Sequence, residues 1–275
     1  MQEVLDASTP ADWRPLDPQN TLYMDVGGGR VVIELAPDFA PGHVANIRTL
    51  AQENYFDGLA IVRSQDNYVV QWGDPDGGDP AKARPLGSAK ATLPAEFTRP
   101  AEGLSFTRLP DVDGYAPEVG FVQGFPAGRD PAGNEAWLTH CYGTVGAGRG
   151  MEPDSSTGAE LYVAIGPSRQ LDRLMTTVGR VVKGMEFLSA HPRGTGPLGF
   201  YENEKQLVPI QAVTLAADLP AEQRERLEIL RTDTPTWEAL VESRRNRPEE
   251  FFLRQAGHIE LCFVPVPVRE IAAAP

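Results

Sequence analysis

The stretch IVRSQDNYVVQWGD, residues 61–74, combines a strong strand pattern with two polar side chains that a buried strand does not normally carry. Its apolar residues predict two short strands, 59–63 and 68–72, joined by the polar corner SQDN. Arg63 and Gln71 lie inside these two strands. Because an unpaired guanidinium is costly to bury, a strand that keeps Arg63 indicates that the molecule needs it there.

The residues before this stretch predict a hairpin and a helix. TLYMDVGGGRVVIELA, residues 21–36, alternates in hydrophobicity on both sides of three glycines, which is typical of a β-hairpin with a turn of positive φ. In the next segment, Val44, Ile47 and Leu50 follow Pro41 at helical spacing, so we expect a helix over residues 41–54.

The residues after it predict further strands and an insertion. Residues 100–137 are rich in Gly, Pro and Asp and resemble a small hairpin inserted into the body. TVGRVVKGMEFL, residues 177–188, predicts a strand that runs through Gly184 into a short helix. Residues 208–218 predict the last strand of this body.

Both ends of the chain differ from the body in character. Residues 1–20 are polar and contain prolines, which indicates an arm that lies on the surface or is loosely ordered. Beyond residue 218 the pattern predicts two amphipathic helices, 219–231 and 235–247, the second with Thr234 as its N-cap. Residues 257–270 predict a final strand whose alternating prolines suit the edge of a sheet.

Composition narrows the class of protein and its partners. With 275 residues, 27 Gly and 25 Pro, the chain can bury a large core and favours a β-rich body with many turns. A net charge of −13 disfavours nucleic acid as the main partner, and the longest apolar run falls short of the roughly 18 residues that a membrane span needs. We expect a monomer.

The first residues show no basic region followed by an apolar core, so no export signal is visible. Of the compartments that this leaves open, a periplasmic or exported location is favoured over a cytoplasmic one, on the view that a leader has been removed.

Cysteine and histidine usage gives little support to a metal site. Cys141 and Cys262 lie far apart in the sequence, which leaves two buried thiols and one disulfide as equal alternatives. The four histidines occur at unrelated spacings. We therefore expect no metal and no cofactor.

Taken in order, several segments resemble the cyclophilin family of peptidyl-prolyl cis-trans isomerases. Besides the starting hairpin, they are APGHVANIRTL, YFDGLAIVR, the Gln-x-Gly-Asp of residues 71–74, GTVGAGR, ELYV, QLD and TVGRVVKGMEFL. The resemblance extends from about Tyr23 to Ala216 and is interrupted near residues 100–137.

The resemblance implies a mainly β fold, a closed eight-stranded antiparallel barrel capped by two helices. The implied organisation is an N-terminal arm at 1–20, a cyclophilin-like domain at 21–217 with its insertion at 100–137, and a C-terminal extension at 218–275. We expect that extension, with its two helices and edge strand, to pack on the barrel.

The implied activity also explains the arginine. Rotation about an X-Pro bond has a barrier of about 18–20 kcal/mol, because amide resonance must be broken. A fixed, permanently charged donor that meets the prolyl nitrogen as it pyramidalises would favour the twisted state over either planar one. The family's catalytic arginine matches Arg63, and proline-containing polypeptides are the implied partners.

The family's substrate-binding positions fall on particular residues of this chain. They are Tyr68, Val69, Gln71, Gly148, Arg149, Glu160, Tyr162, Gln170, Leu171 and Met175. Six of them depart from the family pattern. Glu160 replaces a glutamine, Gln170 an aromatic side chain and Val69 a methionine, while Tyr68 and Tyr162 replace phenylalanines and Met175 a histidine or tyrosine.

These departures keep a second hypothesis open, namely a proline-peptide-binding chaperone or assembly module that has lost turnover. Arg63 can also be interpreted as a surface arginine paired with Glu160 or Asp66. Tyr68 and Tyr162 can equally be core aromatics with an exposed hydroxyl. His140, just before Cys141, is interpreted as a structural histidine with satisfied hydrogen bonds.

Overall fold

The structure, a computed structural model, describes residues 1–271. In chain order the strands are β1 Trp13–Pro15, β2 Thr21–Val26, β3 Gly29–Leu35, β4 Ala60–Ser64, β5 Val69–Gly73, β6 Arg99–Pro100, β7 Thr107–Leu109, β8 Glu118–Val122, β9 Phe125–Asp130, β10 Glu135–Leu138, β11 Thr144–Ala147, β12 Leu161–Ala164, β13 Thr177–Lys183, β14 Val208–Leu215, β15 Leu227–Leu230 and β16 Val268–Glu270. The α-helices are α1 Gln2–Asp6, α2 Pro41–Gln52, α3 Glu186–Ser189 and α4 Pro235–Arg245. Short 3-10 helices cover Pro10–Asp12, Pro18–Asn20, Arg169–Leu171, Pro197–Gly199, Glu204–Gln206, Ala216–Asp218, Ala221–Gln223 and Leu261–Phe263.

The chain forms two compact units. One comprises Asp17–Arg99 and Thr139–Arg224. The other comprises Met1–Leu16, Pro100–Leu138 and the described chain from Glu225 onward. Three segments that lie far apart in the sequence therefore belong to one unit.

The first unit is a closed eight-stranded barrel, with strands in the order β11-β12-β5-β4-β14-β2-β3-β13. Neighbouring strands pair antiparallel throughout. Closure leaves the described barrel with no free edge strand. This architecture confirms the predicted fold class.

Alternating side chains of the strands fill the barrel interior. Val70 and Trp72 of β5 and Leu161 and Val163 of β12 belong to one buried cluster. The residues between them on each strand point to the opposite face. That outer face is where polar side chains can stand without disturbing the core.

Two helices cover the barrel core, as the resemblance implies. Helix α2 starts with Pro41 at its first position and buries Val44, Ile47 and Leu50 in the same cluster as the strands. The short helix α3 buries Leu188 in that cluster. The hairpin β2–β3 turns at Gly27 and Gly28, whose φ angles of 62° and 83° suit glycine.

The second unit contains two small sheets and helix α4. One sheet has five strands in the order β6-β10-β9-β8-β7, and the other has three in the order β1-β15-β16. Trp237 of α4 packs edge-to-face on Phe121 of β8, with ring centroids 4.7 Å apart. The prediction of a single small hairpin within residues 100–137 was therefore incomplete, because this segment contributes to a five-stranded sheet.

The N-terminal segment is not a loose arm. Residues Gln2–Asp6 form α1, and Trp13–Pro15 form a strand that pairs antiparallel with β15. Of the two alternatives, the loosely ordered arm was wrong, because local composition carries no information about a partner more than two hundred residues away in the sequence. Once paired, Trp13 is 7% exposed.

The first of the two predicted C-terminal helices is also absent. Residues 219–231 form a 3-10 turn, Ala221–Gln223, followed by strand β15. The segment LEIL is short enough to suit either structure, and backbone pairing with β1 on one side and β16 on the other favours the strand. Helix α4 is confirmed, and the Thr234 hydroxyl accepts from the Trp237 N–H as its cap.

The predicted last strand is shorter than expected but lies at an edge. Only Val268–Glu270 pair, on the outer side of the three-stranded sheet, after Pro265 and Pro267.

Neither Cys141 nor Cys262 is a free thiol, because both are disulfide-bonded. Across residues 1–271, every helix is too short or too polar to cross a bilayer.

Candidate active site

A β-bulge explains how the apolar run of residues 61–74 carries an arginine. Ile61 pairs with Trp72, whereas Arg63 pairs with Gln71, so the strand register shifts by one residue at Val62. Without that extra residue, Arg63 would lie on the same face as the buried Ile61. The bulge therefore places Arg63 opposite Gln71 on the outer face of the barrel.

The site continues across the barrel as a row of neighbouring residues. Gln71 on β5 pairs with Tyr162 on β12, and Tyr162 pairs with Gly146 on β11. Gly146 matters because a Cβ at that position would clash with the Tyr162 ring. The four strands thus hold a cation, an amide, a phenol and a bare backbone side by side.

This row borders an open cavity of about 110 Å³. The cavity is lined by Arg63, Tyr68, Val69, Gln71, Gly148, Arg149, Glu160, Tyr162, Leu171 and Met175. A dry cavity of roughly 150 Å³ can hold a benzene molecule, so a slightly smaller one suits a five-membered ring.

The structure thus brings together ten of the eleven residues that the sequence analysis selects. Gln170 is the exception. It is exposed within the 3-10 helix Arg169–Leu171 and is absent from the cavity lining.

Arg63 is held from three sides. Its Nη1 donates to Oε1 of Gln71 at 3.0 Å, its Nη2 to Oε1 of Gln65 at 2.5 Å, and its Nε to the carbonyl oxygen of Leu198 at 2.7 Å. A guanidinium has five N–H groups, so two remain without a partner among the described residues. The Arg63 guanidinium is therefore held in place and keeps two N–H groups that can donate to a ligand.

Two aromatic rings flank this guanidinium. Its Cζ lies 5.5 Å from the ring centroid of Tyr68 and 5.2 Å from that of Phe200, within the range of cation–π attraction. Burial lowers the pKa of Arg63, an effect that the charges of Tyr68 and Glu160 oppose. An arginine starts so far above neutrality that the side chain stays protonated.

Glu160 is coupled to Arg63 through Gln71. The Gln71 amide donates from Nε2 to Oε1 of Glu160 at 2.5 Å and accepts from Arg63 with its oxygen. Burial raises the pKa of Glu160, although the Gln71 hydrogen bond and the charge of Arg63 oppose the shift. Part of the residue is nevertheless exposed to solvent, which screens part of this effect.

The direct pairs considered for Arg63 are absent among the described residues. Gln71 stands between Arg63 and Glu160, and Asp66 pairs instead with Arg193 at 3.0 Å. Gly148 gives the Glu160 carboxylate its room, because a Cβ there would clash with Oε1.

Behind the cavity lies a buried chain of polar groups that ends at Tyr162. His140 is 0% exposed, and its Nε2 lies 2.8 Å from the Tyr162 hydroxyl. Its Nδ1 lies 3.1 Å from Oδ1 of Asp172, whose other oxygen accepts from Nε of Arg169 at 2.5 Å. Each of the four side chains has at least one hydrogen-bond partner in this network.

The charges in the network determine its hydrogen-bond directions. Burial opposes ionisation of Asp172, but hydrogen bonds from His140 and the charge of Arg169 outweigh it and lower the pKa of Asp172. An ionised carboxylate can only accept, so Nδ1 of His140 donates to it, and in the neutral imidazole Nε2 then accepts from the Tyr162 hydroxyl. Burial raises the pKa of Tyr162, which keeps that hydroxyl protonated.

Arg149 is largely committed to its own loop. Its Nε donates to the carbonyl oxygen of Leu174 at 3.0 Å and its Nη1 to that of Gly150 at 2.9 Å. Its Cζ also lies 5.6 Å from the ring centroid of Phe97. These contacts brace the glycine-rich loop at the cavity edge.

Sequence reasoning missed three groups that shape the site, namely Gln65, Leu198 and Phe200. The interpretation of His140 as a structural histidine with satisfied hydrogen bonds is confirmed. Gln65 lies in the quoted stretch and has a carbonyl acceptor two residues from Arg63, so its spacing was a usable signal. Leu198 and Phe200 follow a Gly-Pro turn more than 130 residues later and carry no local pattern. His140 and Tyr162 meet only in the folded barrel.

No group of three His, Cys, Asp or Glu side chains within residues 1–271 could hold a metal ion. What the site offers is a cavity with an apolar part, formed by Val69, Leu171 and Met175 and the tyrosine rings, and a cationic donor at its rim. Fold and site together define a β-barrel protein that can hold a small apolar ring beside a charged hydrogen-bond donor.

Comparison with known proteins gives this class a name. Residues 21–214 match the family model described as cyclophilin type peptidyl-prolyl cis-trans isomerase/CLD. The chain belongs to this family, which confirms the resemblance in the sequence.

Individual relatives agree with this assignment. The chain is 28% identical over 185 residues to the "Probable peptidyl-prolyl cis-trans isomerase" of Brucella suis biovar 1, an alignment that covers 65% of this chain and 74% of that protein. It is 27% identical over 160 residues to peptidyl-prolyl cis-trans isomerase B of Bacillus subtilis, covering 58% and 81% respectively. The crystal structure of cyclophilin AquaCyp293 from Hirschia baltica shares the fold, with a TM-score of 0.78, 24% identity and coverage of 100% of this chain and 98% of that one.

Proposed function

We propose that this chain catalyses the cis-trans isomerisation of X-Pro bonds in polypeptides, with Arg63 as its catalytic residue. One observation carries the proposal, the pair of unpartnered N–H groups that Arg63 keeps at the rim of a ring-sized cavity. The folding of proteins with slow prolyl bonds is the process that such an activity would serve.

The proposed mechanism needs the proline ring to be held while the preceding carbonyl rotates. Tyr68, Val69, Tyr162, Leu171 and Met175 would form the wall that holds the ring. As the bond twists, amide resonance is lost and the prolyl nitrogen regains its lone pair. A free N–H of Arg63 would donate to that lone pair, which exists only in the twisted state.

Gln71 would act as a positioning residue for this donor. Its side-chain oxygen holds Nη1 of Arg63, and its own amide is held by Glu160. Preorganisation of this kind lowers the barrier because no reorganisation is needed during rotation. Gly148, Arg149 and Glu160, which line the cavity, would contact the backbone of a bound peptide, whereas Gln170, outside the cavity lining, is given no role.

The test is a comparison of Arg63→Ala with the wild-type chain in proline-limited refolding and in peptide exchange spectroscopy. Loss of one preorganised donor typically costs about 10²–10³ in rate, and we expect a loss of that order in kcat/KM. Arg30→Ala is the matched control, because Arg30 also lies on a barrel strand beside a tyrosine ring, at 5.1 Å, but lines neither cavity described here. Equal rates for wild type and Arg63→Ala would remove the catalytic proposal.

A second candidate is a proline-peptide-binding module without turnover. It is favoured by the carboxylate of Glu160, which places a negative charge beside Gln71, the side chain that holds the Arg63 donor. Chemical-shift changes on addition of a proline peptide, with no acceleration of exchange in wild type, would support binding alone.

A further inference from the structure

A second and larger cavity adjoins the first. It has a volume of about 630 Å³ and shares Glu160 with the smaller cavity. Phe200 and the bulge residue Val62 both line this second cavity. The centroid of the Phe200 ring also lies 5.2 Å from Cζ of Arg63. A polypeptide seated against Arg63 would therefore reach this second cavity within a few residues.

The walls of this cavity are apolar in part. Val62, Pro75, Phe200 and Leu207 contribute to them, and Phe200 is 38% exposed. The Tyr201 ring is fixed because its hydroxyl donates to the Pro192 carbonyl oxygen at 2.8 Å. Such walls suit an aliphatic stem but give no preference for charge.

The charge comes from five carboxylates on the same cavity, those of Asp74, Asp76, Glu160, Glu202 and Glu204. Asp74 accepts from backbone N–H groups, Glu160 from Gln71 and Glu202 from the Thr195 hydroxyl. Within residues 1–271 none of the five forms an ion pair with a lysine or arginine. The cavity therefore has a surplus of negative charge.

Arg63 offsets only part of this surplus. Its charge acts on Glu160, to which it is linked through Gln71, while its other bonded N–H groups go to Gln65 and Leu198. A lysine or arginine side chain has an aliphatic stem that packs on apolar walls and a charged end that remains partly hydrated. Shape and charge thus complement one kind of side chain, a long basic one.

We propose that this second cavity is a specificity subsite that selects a lysine or arginine close to the isomerised proline in the substrate polypeptide. The inference rests on the proposed isomerase function, since it concerns another residue of the same substrate. It makes this chain a catalyst that favours basic proline segments over acidic ones.

The experiment uses the full chain and peptides with one Ala-Pro bond. Lysine, glutamine or glutamate is placed in turn at each of the three positions before and after that dipeptide, and exchange spectroscopy gives both affinity and exchange rate. At one or more positions we expect the lysine peptide to bind about three- to tenfold more tightly than the glutamate peptide. Because the sites are partly exposed, the ratio should shrink in high salt.

A matched pair of variants locates the effect. Glu204→Gln removes a carboxylate of the cavity, whereas Glu222→Gln removes an exposed glutamate from another 3-10 helix of the same unit. The lysine-to-glutamate ratio should fall in the first variant and stay at the wild-type value in the second. Circular dichroism of both variants shows whether either is unfolded, and the salt series on wild type tests the proposal without any variant.

The outcomes separate the two proposals. If no peptide is isomerised faster, the isomerase function fails. If all peptides are isomerised faster but lysine, glutamine and glutamate peptides bind equally at every position, the subsite is overturned while the isomerase remains. A ratio that Glu222→Gln lowers as much as Glu204→Gln would reduce the effect to the overall charge of −13 and would also overturn the subsite.

Discussion

Two polar clusters border the same small cavity, and they are built in opposite ways. The Arg63 guanidinium is partly exposed and keeps unused donors, whereas around His140 every side chain is buried and has a partner. A donor that must meet a substrate has to stay unsatisfied in the free protein. A ring that must hold its position is best held by a network with nothing left to satisfy.

The comparison also shows which property, stability or activity, a mutation in each cluster would reduce. Truncating a group in the buried network leaves its partners without water or protein to bond, so the loss appears as stability. Changing a group at the open rim leaves its partners accessible to solvent, so the loss appears as activity. The following predictions test that division, in order of expected size.

The largest expected stability effect comes from His140→Ala. The change leaves the Tyr162 hydroxyl and the Asp172 carboxylate buried without their partner, and we expect the free energy of unfolding to fall by about 2–4 kcal/mol. Urea unfolding followed by circular dichroism measures it. His258→Ala, at a side chain that is 48% exposed, should change stability by no more than about 0.5 kcal/mol. Equal losses in the two variants would contradict the claim that the buried hydrogen bonds of His140 stabilise the fold.

A smaller loss is expected for Tyr162→Phe. The ring that lines the cavity is kept, but Nε2 of His140 loses its hydrogen-bond partner, which should cost about 1–2 kcal/mol of stability. Tyr68→Phe is the matched control, since the Tyr68 hydroxyl has no hydrogen-bond partner among the described residues. The same urea unfolding series applies, and no difference between the two phenylalanine variants would show that the hydroxyl contact is not formed.

The smallest effect is expected for Glu160→Gln, and it should appear in activity. A carboxylate near the prolyl nitrogen disfavours the developing lone pair, so its neutral analogue should raise kcat/KM for a neutral peptide by about two- to fivefold at pH 8. The Gln71 contact is kept, because a glutamine oxygen can accept the same bond.

The pH dependence gives this prediction its sign. Burial raises the pKa of Glu160, so the carboxyl becomes neutral at a higher pH than an ordinary glutamate would. Wild-type kcat/KM should therefore rise as pH falls toward that raised pKa, while Glu160→Gln stays flat across the same range. Parallel pH profiles for the two proteins would show that the charge of Glu160 does not reach the reacting bond.

Much of the barrel was predictable because its signals are local. The hairpin β2–β3, helix α2 and the pair β4–β5 each follow from periodicity and turn residues within a short window. The residues around the cavity were predictable for a different reason, since their order along the chain resembles a known family. Their roles in catalysis remain predictions.

The failures share a physical cause. Strands β1 and β15 pair across more than two hundred residues, and no property of either segment alone identifies the other. No local sequence pattern indicates the bulge at Val62 either, because the bulge depends on the register between two paired strands. Phe200 reaches Arg63 through an irregular loop that has no periodicity to detect.

By itself the sequence determined which segments become barrel strands, where the first hairpin turns and that an arginine and a glutamine stand in an apolar run. Only the tertiary structure decided which face Arg63 occupies, how many of its donors stay free and which carboxylates gather beside it. The reason is that strand propensity depends on neighbours along the chain. The face of a side chain and its partners depend instead on register and on contacts between residues that are distant in sequence.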